Sequence, residues 1–261
     1  MVNAQAAIVV VMFSISAAVW WHWSRCYQRF GEVCPREPLP SSGPSLVAVL
    51  LTVAYLWLSL VVVLNPPVRD PAQPISLSAI QAGCGERLLM VALLVPLAFG
   101  FTTRPPRDLG FTLTNWLRQV MDGLETAHAS FIPVLCVLFV TSPLRSEREK
   151  NTLLRLLDQD RGLETLAWVL LAAVVLAPLV EELLFRVILL GWLKTKTTSA
   201  HAIGISSVAF ALIHGPLDGV ALLPLALLLG ILYDRRQRYL SVVVAHAFFN
   251  LWNIVLTLAA R

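Results

Sequence analysis

The run Pro178-Leu-Val-Glu181-Glu182-Leu-Leu-Phe-Arg186-Val-Ile-Leu-Leu stands inside an apolar stretch, residues 163–192, long enough to cross a bilayer. Each ionised group held at mid-membrane costs roughly 2.5 to 3.5 kcal/mol on insertion scales, so the three together would cost on the order of 8 to 10 kcal/mol if unpaired. Nothing structural requires that cost. An intramembrane carboxylate pair is a functional-site hypothesis by default, and the rest of the chain must supply its partners.

Composition sets the solvent. The 261 residues are 57% hydrophobic and 14% charged, with a mean hydropathy of +0.73, where a soluble domain carries about 25% charge. The chain therefore reads as an integral, multi-pass membrane protein. Its net charge of +4 comes from Arg and Lys clustered between apolar runs, which is topology signal and contact with lipid headgroups; nucleic acid is not an expected partner. Cys26, Cys34, Cys84 and Cys136 show no Cys-x-x-Cys spacing, so no structural metal site is expected on them. Cys26 and Cys34 share one loop, but the charge count below places that loop in the cytoplasm, against a bridge. The first apolar run resembles a signal sequence, yet it lacks a basic start. Trp20-Trp21-His22-Trp23 also replaces a small-residue cleavage site. It is expected to stay as a membrane helix, its tryptophans in an interfacial belt.

Reading apolar runs against the roughly 20 residues that span a bilayer gives eight segments, at about 5–21, 46–64, 88–101, 131–140, 163–192, 200–214, 220–233 and 239–259. The expected fold is an all-α polytopic bundle of about eight transmembrane helices enclosing an intramembrane polar cavity. Residues 1–162 would form the N-terminal membrane helices and loops, and 163–259 a core of the last four. The third and fourth segments reach full length only if they extend backwards, through 76–87 and 120–130. Pro44, Pro66-Pro67 and Pro105-Pro106 punctuate the loops. Trp116, Leu117, Val120, Met121 and Leu124 recur at helical spacing among Arg118, Asp122 and Glu125, the pattern of an interfacial amphipathic helix.

With the N-terminus outside, the inside loops carry Arg25, Arg29, Arg36, Arg104, Arg107, Arg118, Lys194, Lys196, Arg235, Arg236 and Arg238. The outside loops carry Arg69, Arg87, Arg145, Arg148, Lys150, Arg155, Arg161 and Arg261. The excess of positive charge favours this orientation, and the stretch 142–162 opposes it.

Glu182 and Arg186 lie four apart on one helix face and suit an intramembrane ion pair, a bond that could serve helix packing alone. Glu181 points about 100° away, without that partner. The segment that follows ends Phe210-Ala-Leu-Ile-His214-Gly215-Pro216, and the last carries His246-Ala-Phe-Phe-Asn250. A single histidine at a helix end is usually a cap. Here three helices each place polar side chains in the membrane interior. One carboxylate, two imidazoles and an amide suffice for water-mediated peptide hydrolysis: the carboxylate takes a proton from water, and N–H groups stabilise the oxyanion. His-Glu-x-x-His and Gly-x-Ser-x-Gly are both absent, which leaves the ordinary zinc and serine mechanisms without support. A non-catalytic membrane scaffold or immunity protein could keep such a cluster for packing, and a proton-coupled transporter could use it as a relay. No inverted repeat favours the transporter.

At these residues the sequence resembles the CAAX-processing endopeptidase and bacteriocin-processing family of intramembrane proteases, type II CAAX prenyl endopeptidase-like. That family's signature joins a Glu-Glu-x-x-x-Arg, a Phe-x-x-x-His and a His-x-x-x-Asn motif on separate membrane helices. They stand here as Glu181-Glu182 to Arg186, Phe210 to His214 and His246 to Asn250. The resemblance implies a glutamate-dependent hydrolase, an endopeptidase acting on membrane-anchored peptides or proteins, in a membrane of the bacterial inner-membrane type. It further implies Glu181 as the water-activating base, His214 as its partner, His246 with Asn250 as oxyanion donors, and Glu182, Arg186 and Phe210 in support. No cofactor is required on this reading. Zinc is possible, and would be held by Glu181, His214 and His246.

Overall fold

A computed structural model describes residues 4–33, 35–37, 43–65, 76–100, 105–145 and 152–260. The chain is all-α, with no strand among the described residues. Seven helices are long and apolar enough to cross a membrane. They are α1 (Ala4–Phe30), α2 (Leu46–Leu64), α3 (Leu77–Gly100), α4 (Trp116–Thr141), α6 (Leu163–Leu193), α8 (Pro216–Arg236) and α9 (Tyr239–Ala259). The expected eighth span, α7 (Ser199–Leu212), has 14 residues. At 1.5 Å per residue it covers about 21 Å, short of a 30 Å hydrocarbon core. An integral multi-pass architecture follows, with seven full spans and one partial one.

The two doubtful segments do extend backwards, and both readings change for physical reasons. Helix α3 begins at Leu77, which places Arg87 inside a membrane helix and not in a loop. The stretch read as a separate interfacial helix is the first part of α4. Its two acidic residues are satisfied by the bundle, while Arg118 stays exposed. Asp122 pairs with Arg236 Nε at 2.9 Å, Glu125 accepts from Trp23 Nε1 at 2.5 Å, and Gln119 donates to the carbonyls of Thr112 and Thr114. Two of the supposed belt tryptophans, Trp20 and Trp23, likewise bond to α4, while Trp21 stays exposed. A short helix absent from the expectation, α5 (Thr152–Gln159), buries Leu156 and Leu157 against Val169 and Ile254. Eight residues are too few for periodicity to separate it from a loop.

Charges at the helix ends are knitted together. At the end assigned to the inside, Asp234 accepts from Arg36 at 2.5 Å and forms an ion pair with Lys194 at 2.7 Å, and Arg238 pairs with Glu37 at 2.6 Å. Within the stretch 142–162, whose charge opposed the count, Arg145 is taken up by Asp218 at 2.6 Å. Cys26 is a free thiol; Cys34 lies outside the described residues.

Two glycines set the close helix contacts around the core. A Cβ on Gly219 in α8 would collide with the Ala211 carbonyl oxygen of α7, and one on Gly123 in α4 would fall 2.6 Å from the Ser241 carbonyl oxygen of α9. No flexible side chain end is there to yield. Gly123→Val is expected to force α4 off α9 and to lower the melting temperature in detergent, at the scale of about 1–3 kcal/mol for overpacking. Gly85→Val on α3, where nothing lies within 4 Å, is the control and should leave it unchanged.

Candidate active site

Glu181 and Glu182 sit on α6 between two π-helical stretches, Leu171–Leu176 and Leu183–Leu190. Such wide turns free backbone groups and are frequent at functional sites. Here one consequence is traceable. In the first stretch the N–H of Ala177 bonds the carbonyl of Ala172, five residues back. In the same register the carbonyl of Ala173 would be served by residue 178, which is Pro178 and has no N–H. Asn250 of α9 takes its place, Nδ2 donating to the Ala173 oxygen at 2.8 Å. One N–H of the amide is thus committed to α6 and the second remains.

Glu182 and Arg186 are both wholly buried and meet at 3.2 Å from Nε to Oε2. The guanidinium also donates to the Ala226 carbonyl of α8 at 3.2 Å, and its Cζ stands 4.7 Å from the Phe210 ring centroid. A cation over an aromatic face is worth most where water is excluded. The other oxygen of Glu182 accepts from His246 Nδ1 at 2.7 Å. Phe210 packs edge-on to His246 at 5.7 Å and tilts against His214 at 4.5 Å.

His214 follows α7, whose short length stops it inside the bundle. Gly215, at φ 83 and ψ 171, turns the chain back into α8 with Pro216 in the first turn, a conformation that only glycine adopts readily. His214 Nδ1 bonds the Phe210 carbonyl at 2.8 Å. Both partners of the two Nδ1 atoms, a carbonyl and a carboxylate, can only accept, so each Nδ1 carries its proton and each neutral imidazole presents a bare Nε2. Both Nε2 atoms face the same oxygen: Glu181 Oε2 is 3.6 Å from His214 and 3.9 Å from His246. Three acceptors cannot bond one another, which accounts for the wide spacing and for Glu181 Oε2 being buried without a hydrogen-bond partner. A molecule with protons to donate would satisfy them.

These groups open onto a cavity of about 730 Å³. Glu181, His214, His246 and Asn250 line it, while Glu182, Arg186 and Phe210 lie behind, fully buried. The structure thus gathers all seven residues singled out by the motifs. It adds contributors that the motifs did not indicate: Tyr55 and Ser59 of α2, Arg87 of α3 and Asn253 of α9. The signal for the first three was the one used for Glu181, polar residues in apolar helices. It was passed over because Tyr and Ser are mild exceptions and Arg87 was read as a loop charge. Among the described residues no group of three or more His, Cys, Asp or Glu side chains is arranged to hold a metal ion. No metal is therefore assigned to Glu181, His214 and His246.

Residues 163–252 match the family model described as type II CAAX prenyl endopeptidase Rce1-like. The match covers α6 to α9 up to the last motif, and it is the family that the three motifs resemble. The family so described is one of membrane endopeptidases, which are hydrolases. No curated protein and no solved structure matches the chain.

The buried ion pair carries its own test. Removing one partner strands the other in a dry interior, at about 3–5 kcal/mol. Glu182→Ala and Arg186→Ala should each lower thermal stability in detergent more than the double variant does; additive losses would mean that the pair is not energetically coupled.

Proposed function

We propose that this chain is an intramembrane endopeptidase that hydrolyses peptide bonds of membrane-associated peptides or proteins through a water activated by Glu181. The observation that carries the proposal is the convergence of Glu181 Oε2 with the two bare Nε2 atoms at the wall of the cavity. A substrate water between them gives one proton to Glu181 while its oxygen attacks the peptide carbonyl carbon. His214, within 3.6 Å of the carboxylate, receives that proton and delivers it to the amide nitrogen. The carbon–nitrogen bond then breaks, and the products are a carboxylic acid and an amine. His246, whose Nδ1–H is held by Glu182, takes up one proton from solvent on its bare Nε2 when substrate binds, and that N–H and the uncommitted N–H of Asn250 donate to the oxyanion. Arg186 and Phe210 keep Glu182, and through it His246, in place. No step needs a metal.

In this proposal residues 163–259 are the catalytic core, and the earlier helices complete the cavity wall through Tyr55, Ser59 and Arg87. The setting proposed is a membrane of the bacterial inner-membrane type. A scaffold role gains nothing from a buried carboxylate facing two bare nitrogens across a cavity.

Glu181→Gln keeps the shape but cannot take a proton, so it is expected to abolish cleavage of peptides in reconstituted bilayers while the protein still inserts and folds. Full activity in that variant would overturn the assignment. Asn250→Ala should lower turnover by roughly a hundredfold or more with little change in binding, the scale of one lost oxyanion donor. Dialysis against a strong chelator should leave the wild-type rate nearly intact. Loss of activity restored by Zn²⁺ would instead favour a metal-activated water.

A further inference from the structure

The ring of His214 is held by the Phe210 carbonyl and lies against the Phe210 ring, so both of these stays belong to α7. Arg186 fixes Phe210 from α6, and the turn beyond needs its own anchor. Gly215 reverses the chain in open space, with nothing within 4 Å of where a Cβ would stand. Gly219 then packs α8 directly on the Ala211 carbonyl, which joins the end of α7 to the start of α8 as one unit. Arg145 holds that unit from outside. It follows α4 at the end of a short 3-10 turn, Ser142–Leu144, and every nitrogen of its guanidinium is engaged. Nη1 donates to Asp218 at 2.6 Å, Nη2 to the Leu217 carbonyl at 2.7 Å and Nε to Thr141 at 3.2 Å. Leu217 and Asp218 are in the first turn of α8, where a carboxylate also suits the positive end of the helix. Arg145 and Asp218 line the cavity together with His214. The planar fork makes a rigid clamp, of which a lysine ammonium would reach only a part.

We propose that Arg145 is a positioning residue for His214: by clamping the α7–α8 turn to the end of α4 it sets where His214 Nε2 stands relative to Glu181; the catalytic consequence rests on the endopeptidase reading above. In that reading His214 carries the proton to the leaving amine, which requires the imidazole within hydrogen-bond reach of both the carboxylate and the nitrogen. A misplacement of about 1 Å can cost a hundredfold. On this assignment Arg145 makes no bond to the substrate, and its effect passes through that one proton transfer. A bond whose leaving group departs without a proton should not register it. A thioester is such a bond, since a thiol with an ordinary pKa of about 8.5 leaves as the thiolate, whereas an amine must be protonated to leave. Water then gives one proton to Glu181, its oxygen bonds the acyl carbon, the carbon–sulfur bond breaks, and Glu181 returns the proton to solvent.

The test uses the full chain in bilayers. A random-sequence pool of short peptides, read by mass spectrometry, identifies a peptide that wild type cleaves, and that peptide is remade with a thioester at the cleaved bond. Arg145→Gln is expected to lower kcat for the peptide bond by roughly tenfold to a hundredfold, with KM within about twofold, and to leave hydrolysis of the thioester unchanged. Arg145→Lys and Asp218→Asn are milder changes that should fall between it and wild type, and they carry the test if Arg145→Gln does not fold. A second measurement needs no turnover. The rate at which diethyl pyrocarbonate modifies His214, read against His246 below the melting transition of each variant, should rise in Arg145→Gln as the turn loosens. An equal loss on peptide and thioester overturns the proposal, since that is a structural role. A loss carried by KM also overturns it and assigns the arginine to the substrate. Unchanged cleavage with unchanged modification of His214 overturns it and leaves the protease reading standing. If wild type cleaves no peptide in the pool, the protease reading fails and modification of His214 decides the clamp: a rise in Arg145→Gln upholds it, and no change overturns it.

Discussion

A charge in a dry interior must be answered by another, and the Glu182–Arg186 pair is where this chain meets that constraint most severely. Both groups are wholly buried, so neither can be removed, moved or left unpaired without cost. The pair is also a junction. Through Ala226 it reaches α8, through the Phe210 ring it reaches α7, and through His246 it reaches α9. Four helices are thereby fixed around one anion. The exposed edge of that junction is Glu181 with the two imidazoles, so the interaction that settles packing also orients the groups proposed to act.

Helix length and helix irregularity do the rest of the positioning. A full-length α7 would carry His214 to the membrane surface. At 14 residues it stops at the depth of Glu181, and the glycine after it turns the chain without a side chain in the way. The π-helical turns and Pro178 leave a carbonyl without its helical donor, and the amide of Asn250 answers it. That bond ties the last motif to the first and explains how an amide is held at a cavity wall in an otherwise apolar helix.

Much of this was legible in the sequence because membrane helices make polar residues conspicuous. Glu181, Glu182, Arg186, His214, His246 and Asn250 each interrupt an apolar run, and the i to i+4 spacing of Glu182 and Arg186 named their pairing before any coordinates. Spacing within a helix says nothing across helices, so the bond from Glu182 to His246 was invisible, as was the one from Asn250 to Ala173. Helix ends were the other blind spot. Polar residues near the start of α4 read as interface because their partners, Arg236 and Trp23, lie more than a hundred positions away. Arg87 was lost to a loop for the same reason, a helix start hidden in the small, weakly apolar residues that follow Leu77.

The central claim is that a water activated by Glu181 attacks the peptide directly. A single turnover of purified enzyme in bilayers, run in water enriched in oxygen-18 and followed by mass spectrometry of both peptide and protein, addresses it most directly. The account predicts one heavy oxygen in the new C-terminal carboxylate of the product and none in Glu181. Heavy oxygen in Glu181 with an unlabelled product would show that the glutamate itself attacked the substrate, and would contradict it.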